Sequence, residues 1–226
     1  MATQNKLEKI NLLNVEMDGV PLVEDSSKCE MLLGCKIKSN LKWSDQVSYL
    51  SSRLVKRLTA LNYLKFICPF KIRKQITESM FNGILKYCLP LFGGMNVGEI
   101  RNLQLLQNKS ARLVCRAPSR AHRQDLLEKL SWLNVNQQIS YQTLLLIGKI
   151  RRNKAPDYLA KILTNDSRNN RIMIEFQPSI LASRSFCYRG VSEWNKLPSS
   201  IRLSTDRKSF EKELKTWVLT NVPKFI

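Results

Sequence analysis

The chain has 226 residues, 43% of them hydrophobic and 24% charged, a composition able to bury a core and unlike that of a disordered polar chain. Its 37 Lys and Arg outnumber 18 Asp and Glu, for a net charge of +19, a self-repulsion that a polyanionic partner would relieve. No apolar run reaches the roughly 18 residues of a membrane span, and Met1 to Leu13 lacks the apolar stretch of a secretory signal, so an intracellular location, in cytoplasm or nucleus, and no membrane partner are expected.

Residues 11–37 read as β structure. Leu12, Leu13, Val15 and Met17 precede Asp18-Gly19, and Val20, Leu22 and Val23 follow, the pattern of a tight hairpin. Met31 to Ile37 is a third apolar run. Gly34 in its middle implies a bulge or a close backbone approach. From residue 42 the period becomes helical: Trp43, Val47, Leu50, Leu54, Leu58 and Leu61 step by three or four, with Ser44-Asp45 at the start, where a cap or an acidic group is favoured. Pro69 opens a second helix through Ile72, Ile76, Met80 and Ile84. Tyr87 to Gly94 then breaks the pattern with a proline and a glycine pair, a turn packed by aromatics.

A third helix is expected over 98–117. At 100° per residue Leu103, Leu106, Leu113 and Val114 share one side, and Arg101, Lys109, Arg112 and Arg116 the other. Further helices are expected over 123–131, 135–153, 156–163, 185–195 and 206–220, with Pro198 between the last two. Residues 164–183 read as a polar loop with one strand, Ile172 to Phe176. The fold class is α+β and mostly α: a short N-terminal β-hairpin, then a helical bundle and a helical extension.

The six cysteines are scattered without a CxxC pair, and His122 is the one histidine. A zinc site needs ligands at short spacing, so no metal is expected, and the thiols read as free and mostly buried. Two-metal polymerase chemistry needs clustered carboxylates, but none of the seven aspartates adjoins another. His122, in a basic turn-like segment, offers no triad. GxxxxGKS and GxGxxG are absent. Catalysis by this chain alone and a bound cofactor are therefore not expected.

The charge is uneven. Residues 1–40 carry −1, whereas 41–100 carry +6, 101–160 carry +8 and 161–226 carry +6. Like charges four apart on a helix cost a few tenths of a kcal/mol per pair. The stripe Arg101, Lys109, Arg112 and Arg116 is thus a candidate phosphate-binding face, as are Arg53, Lys56 and Arg57 on the first long helix. Lys71, Arg73 and Lys74, and Lys149, Arg151, Arg152 and Lys154, lie near helix ends, where cations are favoured anyway. Trp43, Trp132, Trp194 and Trp217 are spaced with leucines in a way that favours core burial over base stacking.

Five segments, in order, resemble the region after the catalytic palm in reverse transcriptases of jockey-like, LINE-type non-LTR retrotransposons. They are Leu32-Leu33-Gly34 with Ser39 to Trp43; Tyr87 to Gly93, with Phe92 where Trp is usual; Leu106-Gln107-Asn108-Lys109-Ser110-Ala111-Arg112-Leu113; Leu126 to Leu133 followed by Ala155 to Leu159; and Arg189 to Pro198 with Phe210 downstream. The resemblance covers roughly residues 10–220. It implies that residues 1–40 are palm-derived strands carrying a primer-grip-like hairpin at Leu33 and Gly34, 41–117 a helical thumb, and 118–226 a helical C-terminal extension. The partner it implies is an RNA/DNA template–primer duplex held through phosphates, and also the missing palm or endonuclease portion of the same element. A palm supplied elsewhere, making this one part of a split polymerase, and a basic helical module that meets an acidic protein are the alternatives.

Overall fold

The computed structural model describes residues 16–17, 20–21, 29–38, 42–152, 154–163, 165–166, 171–172 and 185–223. The class is α+β and mostly α. Strands β1 (Glu16–Met17) and β2 (Val20–Pro21) pair antiparallel with Met17 opposite Val20, the pairing expected around Asp18-Gly19, which lie outside the described residues.

Strands β3 (Glu30–Leu32) and β4 (Cys35–Ile37) form a second hairpin, with Leu32 opposite Cys35. A turn, in place of the expected bulge or close backbone approach, therefore divides the apolar run Met31 to Ile37 at Leu33-Gly34. Leu33 and Gly34 have φ of 48° and 80°, and positive φ at both central residues is the type I′ hairpin turn, whose twist matches that of the strands. A Cβ on Leu33 makes its conformation unfavourable. The Tyr87 hydroxyl donates to the Leu33 carbonyl at 2.7 Å and pins the turn.

Helix α1 (Ser44–Leu64) buries Val47, Leu50, Leu54 and Leu61 along one face. Trp43 occupies the cap position, and Ser44-Asp45 form the first turn without a side-chain cap. Helix α2 (Phe70–Thr77) starts after Pro69 but passes into a wide π turn, Glu78–Asn82, before α3 (Gly83–Lys86). The extra residue in that turn rotates the buried line. Phe81 and Leu85 are fully enclosed, whereas Ile72, expected on the apolar face, is exposed and Ile76, Met80 and Ile84 are only partly covered.

At Cys88 φ is 53°, and the one-turn α4 (Leu89–Phe92) follows. It brings Phe92 to 6.2 Å from Trp43, between ring centres. Helix α5 (Val97–Cys115) opens on a capping box: Asn96 Oδ1 accepts from the Glu99 N–H and Glu99 Oε2 from the Asn96 N–H, both at 2.8 Å. It ends at Cys115, because Arg116 turns left-handed with φ 52°. Helix α6 (Arg123–Leu130) and helix α7 (Val135–Arg151), the latter opened by a second capping box at Asn134 and Gln137, complete the middle of the chain.

Beyond them lie α8 (Asp157–Ile162), the pair β5 (Asn165–Asp166) and β6 (Arg171–Ile172), α9 (Phe186–Lys196), α10 (Ser199–Leu203) and α11 (Arg207–Asn221). Helix α10 fills the gap that Pro198 left unassigned. Of the expected strand 172–176, Ile172 lies in β6, and 173–176 lie outside the described residues.

Three apolar cores result among the described residues. The first joins α1 through α5 and takes Val135 and Ile139 from α7. The second gathers Leu144, Ile147, Ile150, Val191, Trp194, Phe210, Leu214 and Val218. A smaller one lies between α5 and α6. Helix α7 therefore belongs to two cores, and at Gly148 it approaches so closely that a Cβ would stand 2.8 Å from the Phe210 ring.

Candidate nucleic-acid interface

The motif residues turn out to be mostly braces. Gln104, Gln107 and Asn108 on α5 are buried. Gln104 Nε2 donates to Gln107 Oε1 at 3.0 Å and to Asn108 Oδ1 at 2.9 Å, and its Oε1 accepts the Val135 N–H at 2.8 Å. Gln107 Nε2 donates to the Leu133 carbonyl at 2.9 Å. The Gln-Asn pair of the Leu106 to Leu113 segment thus ties α5 to the start of α7. Arg189 Nη2 donates to the Pro90 carbonyl at 2.7 Å, joining α9 to the α4 turn. Asn195 clasps Ile172 on both sides, accepting from its N–H at 3.1 Å and donating to its carbonyl at 2.9 Å. Trp43 and Trp194 are buried, and Trp132 is partly covered with its indole N–H donating to Glu78 at 2.8 Å.

These braces leave a different set of side chains in solvent. On α5, Arg101 and Lys109 are exposed. They sit eight residues apart on one side of the helix, about 12 Å along its axis. The other two members of the expected stripe depart from it. Arg112 is half-buried, with its Nε enclosed and lacking a hydrogen-bond acceptor among the described residues. Arg116 lies past the helix end, and its guanidinium donates to the carbonyls of Lys65 at 2.9 Å and Phe66 at 3.1 Å. Its role here is to clamp the end of α1, because a left-handed residue no longer follows the helical face.

Arg73 acts in the same way. It is 5% exposed and donates from Nε and Nη2 to the Val114 carbonyl at 3.1 and 2.8 Å and from Nη1 to the Cys68 carbonyl. Val114 lies in the last turn of α5, where carbonyls lack helical partners. Desolvation, with the nearby Arg116 charge second, pulls the Arg73 pKa down. Lys74 faces Glu78 at 3.8 Å.

Arg53, Lys56 and Arg57 are exposed on α1. Arg53 lies 5.6 Å from the Tyr49 ring centre, and Lys36 of β4 lies 5.4 Å from the same ring. The Lys36 N–H also donates to Gln46 at 2.8 Å. A cation from the hairpin therefore joins the α1 set, which sequence spacing could not reveal because Lys36 and Arg53 stand 17 positions apart. Helices α1 and α5 run side by side in one direction: Trp43 meets Phe92 at their beginnings, and Arg116 reaches Lys65 and Phe66 at their ends.

No Asp or Glu occurs between Asp45 and Glu78 or between Glu99 and Asp125. Among the described residues, the ion pairs join Lys38 to Asp45, Lys74 to Glu78, His122 to Asp125 and Arg207 to Glu211. None involves Arg53, Lys56, Arg57, Arg101 or Lys109. Leu33 and Gly34 form the tip of the β3–β4 hairpin, with Leu33 82% exposed beside Met31 and Leu32.

His122 caps no helix with its side chain, and its ring lies 3.2 Å from Asp125 in solvent. Among the described residues no group of three or more His, Cys, Asp or Glu could hold a metal ion, and no helix is long and apolar enough to cross a membrane. All six thiols are free, but only Cys35 is buried, and the other five are half-covered. Burial, with the Cys88 thiol hydrogen-bonded beside it, pushes the Cys35 pKa to about 12.

Compared with family models, curated proteins and solved structures, the chain matches none.

Proposed function

We propose that this chain is a non-catalytic, C-terminal part of a retrotransposon reverse transcriptase that holds an RNA/DNA template–primer duplex through its phosphates. The observation that carries the reading is the pairing of α1 and α5, acid-free beyond Asp45 and Glu99 in their first turns, whose exposed cations Arg53, Lys56, Arg57, Arg101 and Lys109 have no carboxylate partner among the described residues. Phosphate contacts position a protein on a duplex without reading sequence, which suits a polymerase that must travel along any template. The ordered sequence resemblance supplies the particular family, and thumb-like residues 41–117 with the C-terminal extension 118–226 are the layout it implies.

Salt dependence tests the reading. Each phosphate contact on B-DNA contributes about −0.9 to the slope of log K against log salt, so five contacts give a slope near −4.5. Binding of a primed DNA duplex to the whole chain should follow that slope. Arg101→Gln with Lys109→Gln should reduce it by about two, with no dependence on sequence. A flat salt response, or no duplex binding at low salt, excludes the proposal. Primer extension by the chain alone should yield no product.

A further inference from the structure

The corner between α1 and α2 exposes more apolar surface than any packing need explains. Tyr63, Phe66 and Ile67 are 75%, 76% and 77% exposed, and Phe70 is 40% exposed. None of the three cores includes them. Yet the backbone that carries them is held firmly. Arg116 grips the carbonyls of Lys65 and Phe66, and Arg73 grips that of Cys68 while anchored on Val114. The buried Arg73 and the exposed Arg116 guanidiniums thus fix a loop whose side chains face solvent.

Cations surround these rings. Lys65 Nζ lies 5.3 Å and the Arg116 guanidinium 5.9 Å from the Phe66 ring centre, and Lys129 of α6 lies 5.9 Å from that of Phe70. The corner lies within the acid-free stretch 46–77 and is braced by Arg116 from the other, 100–124. Exposed aromatic rings interleaved with unopposed cations on a pinned backbone match what single-stranded nucleic acid needs. Every base has a face that stacks on an aromatic ring, and each phosphate between bases needs a positive charge. A duplex hides its base faces and gains nothing from Phe66 or Tyr63. An acidic protein segment would use the cations but not the rings.

We infer that the α1–α2 corner binds an unpaired stretch of nucleic acid, with bases stacked on Phe66 and Tyr63 and phosphates taken by Lys65 and Lys129. This deepens the nucleic-acid reading above but concerns a different face, so the two fail separately.

The test uses the full chain, fluorescein-labelled oligothymidylate and oligouridylate, and a blunt duplex of the same length, read by fluorescence anisotropy. Phe66→Ala and Tyr63→Ala should each weaken single-strand binding by roughly tenfold and leave duplex binding within about twofold. Phe66→Leu, which keeps apolar surface but no ring, should behave as Phe66→Ala. Both positions are solvent-exposed, and unchanged circular dichroism would confirm that the variants fold. Lys65→Gln should lower the single-strand salt slope by about 0.7. Single-strand affinity unchanged in Phe66→Ala, or equal losses on single strand and duplex, overturns the inference. So does Phe66→Leu binding as tightly as wild type, or a Phe66→Ala defect confined to vesicles containing phosphatidylserine. Loss of duplex binding in Arg101→Gln/Lys109→Gln with single-strand binding intact would show the two faces to be independent, as inferred.

Discussion

Replacing Gln104 by alanine should loosen the joint between α5 and α7 and destabilise the fold without touching any exposed cation. The side chain is 6% exposed and makes three hydrogen bonds, to Gln107, Asn108 and the Val135 N–H. Truncation leaves those three buried groups without partners, each costing about 1–3 kcal/mol. Gln104 also lines a cavity of about 360 Å³ together with Arg123, Leu127, Trp132 and Asn134. Water entering from that side would satisfy part of the deficit, which places the total near the low end, about 3 kcal/mol. For a chain of this length that is a fall in Tm of about 6–12 °C. Gln104→Met keeps the volume and loses the same bonds, so it should fall comparably in urea unfolding. Gln104→Glu retains the acceptor for Val135 but turns a second acceptor toward Gln107 and Asn108. Gln107 cannot rotate to compensate without losing its bond to the Leu133 carbonyl. That variant should be the least stable of the three at pH 7 and should recover on acidification, as protonation restores a donor. Gln104→Ala and Gln104→Met within about 1 kcal/mol of wild type, or a Gln104→Glu defect identical at both pH values, would refute the bracing of α7 on α5 by Gln104.

Two further outcomes follow from the same geometry. Desolvation raises the Glu193 carboxyl above the usual range, against the opposing pull of Ser140, Arg189 and Lys196; the folded chain therefore keeps that proton to higher pH than the unfolded chain, and the stability so gained is present below the unfolded value of about 4.3 and lost as pH rises through the folded one. Urea midpoints of Glu193→Gln should accordingly gain on wild type across that window and then run parallel; a constant difference from acid to neutral pH excludes the assignment. At the β3–β4 turn, Leu33 has φ 48° and is 82% exposed, so Leu33→Asn should remove strain and stabilise by about 1 kcal/mol, raising Tm by about 2–4 °C, and an unchanged or lower Tm would show that the leucine side chain is worth more at the tip than its backbone costs.

Much of the fold was legible because helices write their packing into a 3.6-residue period. The steps from Val47 to Leu61 and from Leu103 to Val114 mark faces that are indeed buried. Helix starts were readable where proline fixes φ, as at Pro69, and less so at α1, where Trp43 rather than Ser44 or Asp45 takes the cap position. The second helix misled, because a π turn adds a residue without leaving a mark in the alternation of side chains, and the core passed from the Ile76 line to Phe81 and Leu85. At Gly34 one glycine in an apolar run fits a bulge or a turn equally well, and the choice was made by the pairing of Leu32 with Cys35.

The candidate interface divides along the same physical line. Charge is a property of residue type, so the sequence alone determined that an excess of cations begins after residue 40 and that residues 46–77 and 100–124 carry no acids. Partnership is a property of position. Which cations remain in solvent, as Arg101 and Lys109 do, and which are consumed in holding backbone carbonyls, as Arg73 and Arg116 are, depended on where one helix ended and another turned. The exposure of Tyr63 and Phe66 was hidden for the same reason: an aromatic residue reads as core until the packing around it shows that no core reaches it.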